Sequence, residues 1–168
     1  GKEVQYLKDK TVYDIIPRKP AQAKGWKVIK TRWMDINKGD DINPVYRSRL
    51  VGKEFNTGEM EGIFAGIPPL EALRFIIHEA ATIRKGQDVD HKVVMVNDVA
   101  RAFFEAPAQR PLAVELPPEA QEEEDMEAVL NKSLYGTRDA ANNFQKEVTK
   151  VMEAIGSRPG RYNPCTYF

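Results

Sequence analysis

Residues 93–104 have the sequence Val-Val-Met-Val-Asn-Asp-Val-Ala-Arg-Ala-Phe-Phe, and this stretch decides how the chain is interpreted. The run of β-formers predicts a buried strand that ends at Asp98 and is followed by a turn. A carboxylate held at the end of a strand can bind a metal ion, and backbone N–H groups in the turn after it can face an anion. That arrangement suits phosphoryl or nucleotidyl transfer. A core strand with a capping Asp is the alternative interpretation.

Size and composition exclude several classes of protein. The chain has 168 residues, which is enough for one hydrophobic core. It contains no apolar run long enough to cross a membrane and no signal peptide, so we expect a soluble intracellular protein. Its single cysteine, Cys165, excludes an internal disulfide. The two histidines, His78 and His91, do not belong to a Cys/His cluster, which argues against a zinc site.

Charge is distributed unevenly, although the formal net charge is zero. Residues 1–53 hold 13 Lys and Arg against 6 Asp and Glu, whereas residues 110–130 hold one Arg against seven acidic residues. A basic first third fits contact with a phosphate backbone, and an acidic segment is expected to face solvent. Two solvated surfaces whose charges are segregated by chance are the alternative.

The remaining patterns predict a mixed α/β (α+β) fold with an incomplete sheet. Residues 1–22 are polar, lack a period and contain two prolines, so we expect an extended leading segment there. A basic hairpin is predicted next, with Arg47 and Arg49 on one face of its second strand as a possible anion clamp. The expected elements, in chain order, are strands over Trp26–Ile36 and Val45–Phe55, a helix from Pro68 to about Lys85, the strand before Asp98, a strand over Leu112–Leu116, a helix from about Asp139 to Ile155, and a strand that begins at Asn163.

Several segments resemble the reverse transcriptase of Ty1/copia-type retrotransposons. In chain order they are Tyr46–Val51, Ile63–Glu71, Asn97–Phe103 and Lys132–Gly136, and Asn163–Tyr167 is similar to the segment just before that family's second catalytic motif. The resemblance covers residues 23–168. It implies an incomplete right-hand polymerase fold, in which this chain holds the basic fingers hairpin and a partial palm sheet with packed helices.

The resemblance also implies a chemistry, that of an RNA-directed DNA polymerase with two Mg²⁺ ions. Asp98 matches the first catalytic carboxylate, and the carbonyl of Val99 would complete the shell of one ion. The backbone N–H groups of Arg101 and Ala102 would face the triphosphate. Phe103 stands at the steric-gate position, five residues after Asp98, where its ring would leave no room for a 2′-hydroxyl.

Further binding residues and partners follow from the same resemblance. Tyr135 and Gly136 match the segment that lies along the incoming nucleotide and the templating base. Either Arg47 or Arg49 would contact the triphosphate. The implied partners are an RNA or DNA template with its primer, deoxynucleoside triphosphates, and the integrase and RNase H modules of a polyprotein, with no membrane. The expected location is a cytoplasmic particle or the nucleus.

The sequence also departs from the family pattern. Ala141 lies in a segment that lacks the family's proline, and the 168 residues contain no aromatic-x-Asp-Asp motif, which we expect to follow Phe168. Gly39-Asp40-Asp41 precedes Asp98 and reads as turn chemistry, so it is no substitute. One carboxylate cannot hold two ions about 3.5–4 Å apart, and we therefore expect this chain alone to be catalytically incomplete. A catalytically dead remnant that at most binds nucleic acid and an unrelated α/β binding domain are the alternatives.

Overall fold

The described part of the chain forms one mixed sheet and four α-helices. The structure is a computed structural model that describes residues 2–58, 61, 63–82, 94–121 and 125–168. The strands are β1 (Tyr13–Pro17), β2 (Lys27–Asn37), β3 (Tyr46–Gly52), β4 (Leu112–Glu115) and β5 (Met126–Leu130), and they lie side by side in the order β1-β5-β4-β2-β3. The helices are α1 (Lys2–Asp9), α2 (Arg18–Ala23), α3 (Leu70–Ala81) and α4 (Ala140–Ala154). The predicted mixture of helices and strands is confirmed.

The predicted basic hairpin is confirmed as β2 and β3, which pair antiparallel. Its turn is built by side chains that satisfy the backbone. The Oδ1 atom of Asn37 accepts hydrogen bonds from the backbone N–H groups of Gly39 and Val45 at 3.0 and 2.9 Å. Asp40 Oδ1 likewise accepts from the N–H of Ile42 at 2.9 Å. The Gly-Asp-Asp stretch is therefore the turn that the sequence predicted.

The hairpin is attached to the rest of the sheet through one half of β2. Residues Lys27–Lys30 of this strand pair parallel with β4, whereas Thr31–Asn37 pair with β3. β5 pairs antiparallel with both β4 and β1, so β1 forms the far edge. The hairpin consequently extends beyond the body of the sheet, and the residues at its base contact both the hairpin and the core.

The hydrophobic core lies between α1, the sheet and the segments around Phe104 and Leu134. Its members are fully or almost fully buried apolar side chains from all of these elements: Val4, Leu7, Val12, Tyr13, Ile29, Leu50, Phe104, Leu112, Val114, Leu116, Ala120, Ala128, Leu130 and Leu134. Phe104 has no exposed surface. The segment after Asp98 is therefore anchored in the core by this ring.

The extended conformation predicted for residues 1–22 is wrong where the chain is helical, in α1 and in the first part of α2, whereas β1 is extended. Residues 2–9 form α1, because Val4 and Leu7 bury one face of that helix in the core. Residues 13–17 form β1, whose backbone groups pair with β5. A polar sequence concealed both elements, since each depends on partners about a hundred residues away in the chain.

Two predicted strands are also wrong in their described parts. Val94–Val99 has no regular structure and is exposed, and Val93 lies outside the described residues. A strand needs a neighbouring backbone for its hydrogen bonds, and none of the five strands pairs with this segment. The segment from Asn163 forms only an isolated bridge between Tyr167 and Pro159.

The two longer predicted helices differ in how they are packed. α4 is confirmed, and its buried residues include Asn143. α3 begins at Leu70, two residues after the predicted start at Pro68, and ends at Ala81, and no side chain of α3 is buried. Its large apolar residues are at least half exposed, as shown by Leu73 at 51% and Phe75 at 64%. The expectation that both helices pack is therefore correct for α4 alone. The predicted helical residues 83–85 and the acidic residues 122–124 lie outside the described residues.

Candidate nucleotide site

Asp98 and Val99 lie on the exposed segment that leads into the site. Both residues are exposed, and Val99 is 47% accessible. The Asp98 carboxylate makes no hydrogen bond or ion pair with another described residue, so its oxygens are available to a ligand. The chain then turns at Ala100 and Arg101 and enters a short 3-10 helix over Ala102–Glu105.

Arg101 has an unusual backbone conformation and a side chain that contacts α1. Its φ and ψ angles are 52° and 45°, the left-handed conformation that non-glycine residues adopt uncommonly. Its Nε and Nη2 atoms donate to Oε2 of Glu3 at 3.0 and 2.8 Å. Its guanidinium carbon lies 4.0 Å from the centre of the Tyr6 ring. The side chain is therefore held by α1, which leaves the backbone of Arg101 and Ala102 as the part predicted to face a phosphate.

Three predicted nucleotide-binding residues come together at the base of the hairpin. The ring centre of Phe103 lies 4.7 Å from that of Tyr135. The guanidinium carbon of Arg49 lies 5.0 Å from the centre of the same Tyr135 ring. The ring centre of Phe144 from α4 lies 6.4 Å from that of Phe103, in an edge-on arrangement. We call Arg49, Phe103 and Tyr135 the aromatic cluster.

Gly136 explains how the Tyr135 loop approaches β3 so closely. The backbone N–H of Gly52 donates to the carbonyl of Tyr135 at 2.7 Å, which ties the loop to the strand. Gly136 has a φ of +81°, and a Cβ atom there would lie 2.1 Å from the carbonyl oxygen of Gly52. Only glycine fits both the backbone angle and the contact.

Arg47 and Arg49 have different neighbours, although they lie on the same strand. Arg47 is exposed and lines a cavity of about 470 Å³, whose other charged residues include Glu3 and Arg101. Arg49 is half-buried, and its Nε atom is buried without a hydrogen-bond partner among the described residues. Arg49 therefore belongs to the aromatic cluster, whereas Arg47 shares the cavity with Arg101.

A buried charge network behind the aromatic cluster was not predicted from the sequence. The side chain of Glu54, just after β3, has no accessible surface. It accepts hydrogen bonds from Nζ of Lys27 at 3.0 Å, from Nη2 of Arg110, and from the backbone N–H of Arg138 at 2.9 Å. Arg110 also donates to Oδ1 of Asp139 at 3.0 Å. The network joins the base of the hairpin to the loop that carries Tyr135.

Hydrogen bonding controls the ionisation of this network. Burial acts to raise the pKa of Glu54, but the hydrogen bonds from Arg110, the Arg138 amide and Lys27 outweigh it and hold that pKa below its usual value. Burial likewise acts to lower the pKa of Arg110, and the two carboxylates beside it raise that pKa instead. Both groups are therefore charged at neutral pH. No sequence pattern links them, because Glu54 and Arg110 are 56 residues apart.

The donor atoms near Asp98 fit one part of a magnesium site. Mg²⁺ prefers carboxylate and carbonyl oxygens, and Asp98 and Val99 carry one of each on an exposed segment. Residues 2–58, 61, 63–82, 94–121 and 125–168 contain no group of three His, Cys, Asp or Glu side chains that could hold a metal ion. The described residues therefore offer a partial donor set.

No helix in the described part of the chain has the length and apolar character needed to span a bilayer.

Comparison with known proteins identifies the family. Residues 10–163 match the family described as "Reverse transcriptase (RNA-dependent DNA polymerase)". A curated relative, the retrovirus-related Pol polyprotein from transposon TNT 1-94 of Nicotiana tabacum, is 28% identical over 152 residues. This match covers 86% of the chain and 11% of the relative, so the chain spans about a tenth of that protein. No solved structure matches the chain.

The matched range contains the four segments on which the resemblance was based, from Tyr46–Val51 to Lys132–Gly136. The resemblance to Ty1/copia-type reverse transcriptases is confirmed by this match and by the tobacco relative. The chain therefore belongs to the reverse transcriptase (RNA-dependent DNA polymerase) family.

Proposed function

We propose that residues 23–168 supply the fingers and the first part of the palm of an RNA-directed DNA polymerase within a retrotransposon polyprotein. The observation that carries the proposal is the aromatic cluster, in which Arg49, Phe103 and Tyr135 meet at the base of a basic hairpin. These residues are far apart in sequence, and each was expected to contact the nucleotide. The turn beside them leads directly back to Asp98.

Asp98 and Val99 would hold magnesium through a carboxylate and a carbonyl oxygen. Magnesium, when bound, polarises phosphate oxygens and favours the ionised 3′-hydroxyl of a primer. Asp98 is suited to this role because its carboxylate is exposed and has no partner among the described residues. A site for two ions takes further carboxylates, which the family carries in an aromatic-x-Asp-Asp motif.

Arg49 is the better candidate of the two arginines for contact with the incoming nucleotide. Its guanidinium carbon lies 5.0 Å from the centre of the Tyr135 ring, which in turn contacts Phe103. Arg47 is exposed nearer the turn of the hairpin, where a template or primer phosphate is a suitable partner. Phe103 would exclude a 2′-hydroxyl, and the backbone N–H groups of Arg101 and Ala102 would face the triphosphate.

The proposed partners follow from this site and from the family. They are an RNA or DNA template with its primer, deoxynucleoside triphosphates, and other modules of the polyprotein such as integrase and RNase H. The tobacco relative is a Pol polyprotein, which supports the presence of further modules. The proposed location is a cytoplasmic particle or the nucleus.

The proposal is tested by nucleotide binding in the presence of a primer–template and Mg²⁺. We would measure the Kd of dGTP for the chain opposite a templating cytosine, and compare it with the Kd of GTP. Arg49→Ala removes a charged contact and should raise the Kd of dGTP by about 10- to 100-fold. Arg47→Ala is the matched control on the same strand, and with primer–template at a saturating concentration it should change the Kd of dGTP by less than about threefold.

Two results would contradict the proposal. In the first, the chain binds dGTP and GTP with equal Kd values, and neither Mg²⁺ nor Phe103→Ala changes these values. In the second, the chain binds primer–template in a salt-sensitive manner but binds no nucleotide. Forms of the polyprotein that extend beyond this chain also fail to add a nucleotide to the primer. The second result would instead support a catalytically dead remnant that retains nucleic-acid binding.

A further inference from the structure

The backbone at Arg101 is strained, and this residue lies between Asp98 and Phe103 in the chain. Its φ of 52° costs free energy for any residue that has a Cβ atom. Asp98 precedes it by three residues and Phe103 follows it by two. Such a conformation persists only where the surrounding structure holds it in place.

Contacts with α1 hold Arg101 in this conformation. Glu3 is 7% exposed, and its Oε2 atom accepts both hydrogen bonds from the guanidinium. The other oxygen, Oε1, is buried and has no partner among the described residues. The hydrogen bonding of this buried carboxylate within the described structure therefore rests on Arg101. The guanidinium carbon also lies 4.0 Å from the centre of the Tyr6 ring, a cation–π contact that adds to the hold of α1 on Arg101.

The segment after Arg101 is fixed from the other side by the core. The backbone N–H of Phe104 donates to the carbonyl of Arg101 at 2.9 Å, and the Phe104 ring is fully buried. Phe103 lies between these two anchors, and its ring meets Tyr135 at 4.7 Å. The left-handed turn at Arg101 therefore sets the direction in which the Phe103 ring points.

We propose that Glu3 and Tyr6 are positioning residues for nucleotide selection. They hold the left-handed turn at Arg101 and so place the Phe103 ring against the sugar of the incoming nucleotide. The Arg101 side chain acts as a tether to α1. This inference rests on the proposed function, because it assigns a role to residues that support the nucleotide site without touching the nucleotide.

Glycine at position 101 separates this role from a purely structural one. Glu3→Gln removes the charge that holds Arg101, so the turn should relax and the ring contact between Phe103 and Tyr135 should weaken. Arg101→Gly in the Glu3→Gln background permits the left-handed turn without any tether, because glycine adopts positive φ at no steric cost. Arg101→Ala in the same background also removes the tether, but it keeps the steric cost of positive φ at this position.

Two measurements are made on these variants, with dGTP, GTP, Mg²⁺ and primer–template as the probes. Glu3→Gln should reduce the preference for dGTP over GTP about tenfold, and Glu3→Gln/Arg101→Gly should recover it to within about twofold. Glu3→Gln/Arg101→Ala should remain reduced. The ring contact between Phe103 and Tyr135, followed by NMR without nucleotide, should be lost and recovered in the same order.

The inference is overturned if Glu3→Gln leaves both the preference and the ring contact unchanged, or if glycine and alanine at position 101 behave alike. Failure of the proposed function looks different. In that case the unmodified chain shows no preference between dGTP and GTP, while the NMR ring contact still responds to position 101. Thermal unfolding of each variant is the control that shows the chain remains folded.

Discussion

Replacing Glu54 with alanine should destabilise the fold substantially, although Glu54 follows a strand near the surface of the sheet. Its side chain is fully inaccessible and accepts three hydrogen bonds, two of them from the cations Arg110 and Lys27. The third donor is the backbone N–H of Arg138, in the loop after Gly136. Removing the carboxylate leaves this partly buried N–H without its acceptor.

The size of the effect follows from what each donor retains. Removing one partner of a buried ion pair costs about 3–5 kcal/mol. Arg110 keeps its hydrogen bond to Asp139 and is 23% exposed, and Lys27 is 45% exposed, so both cations recover part of this loss. We therefore expect Glu54→Ala to lower the free energy of unfolding by about 2–3 kcal/mol. For a domain of this size, that corresponds to about 5–10 °C in Tm.

The loss should depend on pH in a defined direction. The folded-state pKa of Glu54 is lowered, so the stabilisation is present above the pKa of an unfolded Glu, about 4.3, and disappears as the pH falls through the folded-state pKa. Urea unfolding of both forms at pH 7 and at pH 3 measures this. The difference in free energy of unfolding between the unmodified chain and Glu54→Ala should be largest at pH 7 and smaller at pH 3.

Glu105→Ala is the matched control for this experiment. Glu105 also accepts a hydrogen bond from a lysine, Lys10 at 2.7 Å, but both side chains are about two-fifths exposed. Its removal should leave the free energy of unfolding unchanged within error. The reasoning is refuted if Glu54→Ala is as mild as this control, or if its effect is the same at both pH values.

Four further substitutions test other parts of the fold. Gly136→Ala should cost about 3 kcal/mol or more in urea unfolding, because it combines a φ of +81° with a contact of 2.1 Å to Gly52. Gly25→Ala has a similar φ of +66° with nothing nearby, so it should cost about 1 kcal/mol. Phe104→Ala should cost about 3–5 kcal/mol, since the ring is fully buried. Glu127→Gln should raise Tm at pH 7 and leave it unchanged below about pH 4, because burial raises the pKa of Glu127 and its charged form opposes folding.

Each of these expectations has a contradicting result. Equal losses for the two glycine variants would mean that the close approach of Gly136 to β3 does not exist. A loss below about 2 kcal/mol for Phe104→Ala would mean that the ring is not a core residue. A lower Tm for Glu127→Gln at pH 7 would mean that the attraction of Arg18 outweighs burial.

The elements that the sequence predicted correctly are those that short-range chemistry specifies. The hairpin was predicted because Asn37 and Asp40 satisfy the backbone of their own turn. α4 was predicted because its apolar spacing and the glycine after it are local signals. Neither inference needed knowledge of a distant partner.

The errors arise where a distant partner decides the structure. The run Val94–Val99 has high strand propensity but no neighbouring strand among the described residues, and α1 is polar but buries Val4 and Leu7. The site shows the same division. The resemblance supplied Arg49, Phe103 and Tyr135, whereas the ion pair between Glu3 and Arg101 spans 98 residues and leaves no trace in the sequence pattern.

Primer extension by the complete polyprotein, expressed from the reading frame that contains this chain, tests the central claim most directly. Asp98→Asn removes a metal-binding charge without changing the size of the side chain. Asp41→Asn is the control, because it makes the same substitution at an exposed turn residue that binds no metal in this account. The account predicts that Asp98→Asn abolishes nucleotide addition while Asp41→Asn extends the primer at the unmodified rate. Extension at the unmodified rate by Asp98→Asn would contradict it.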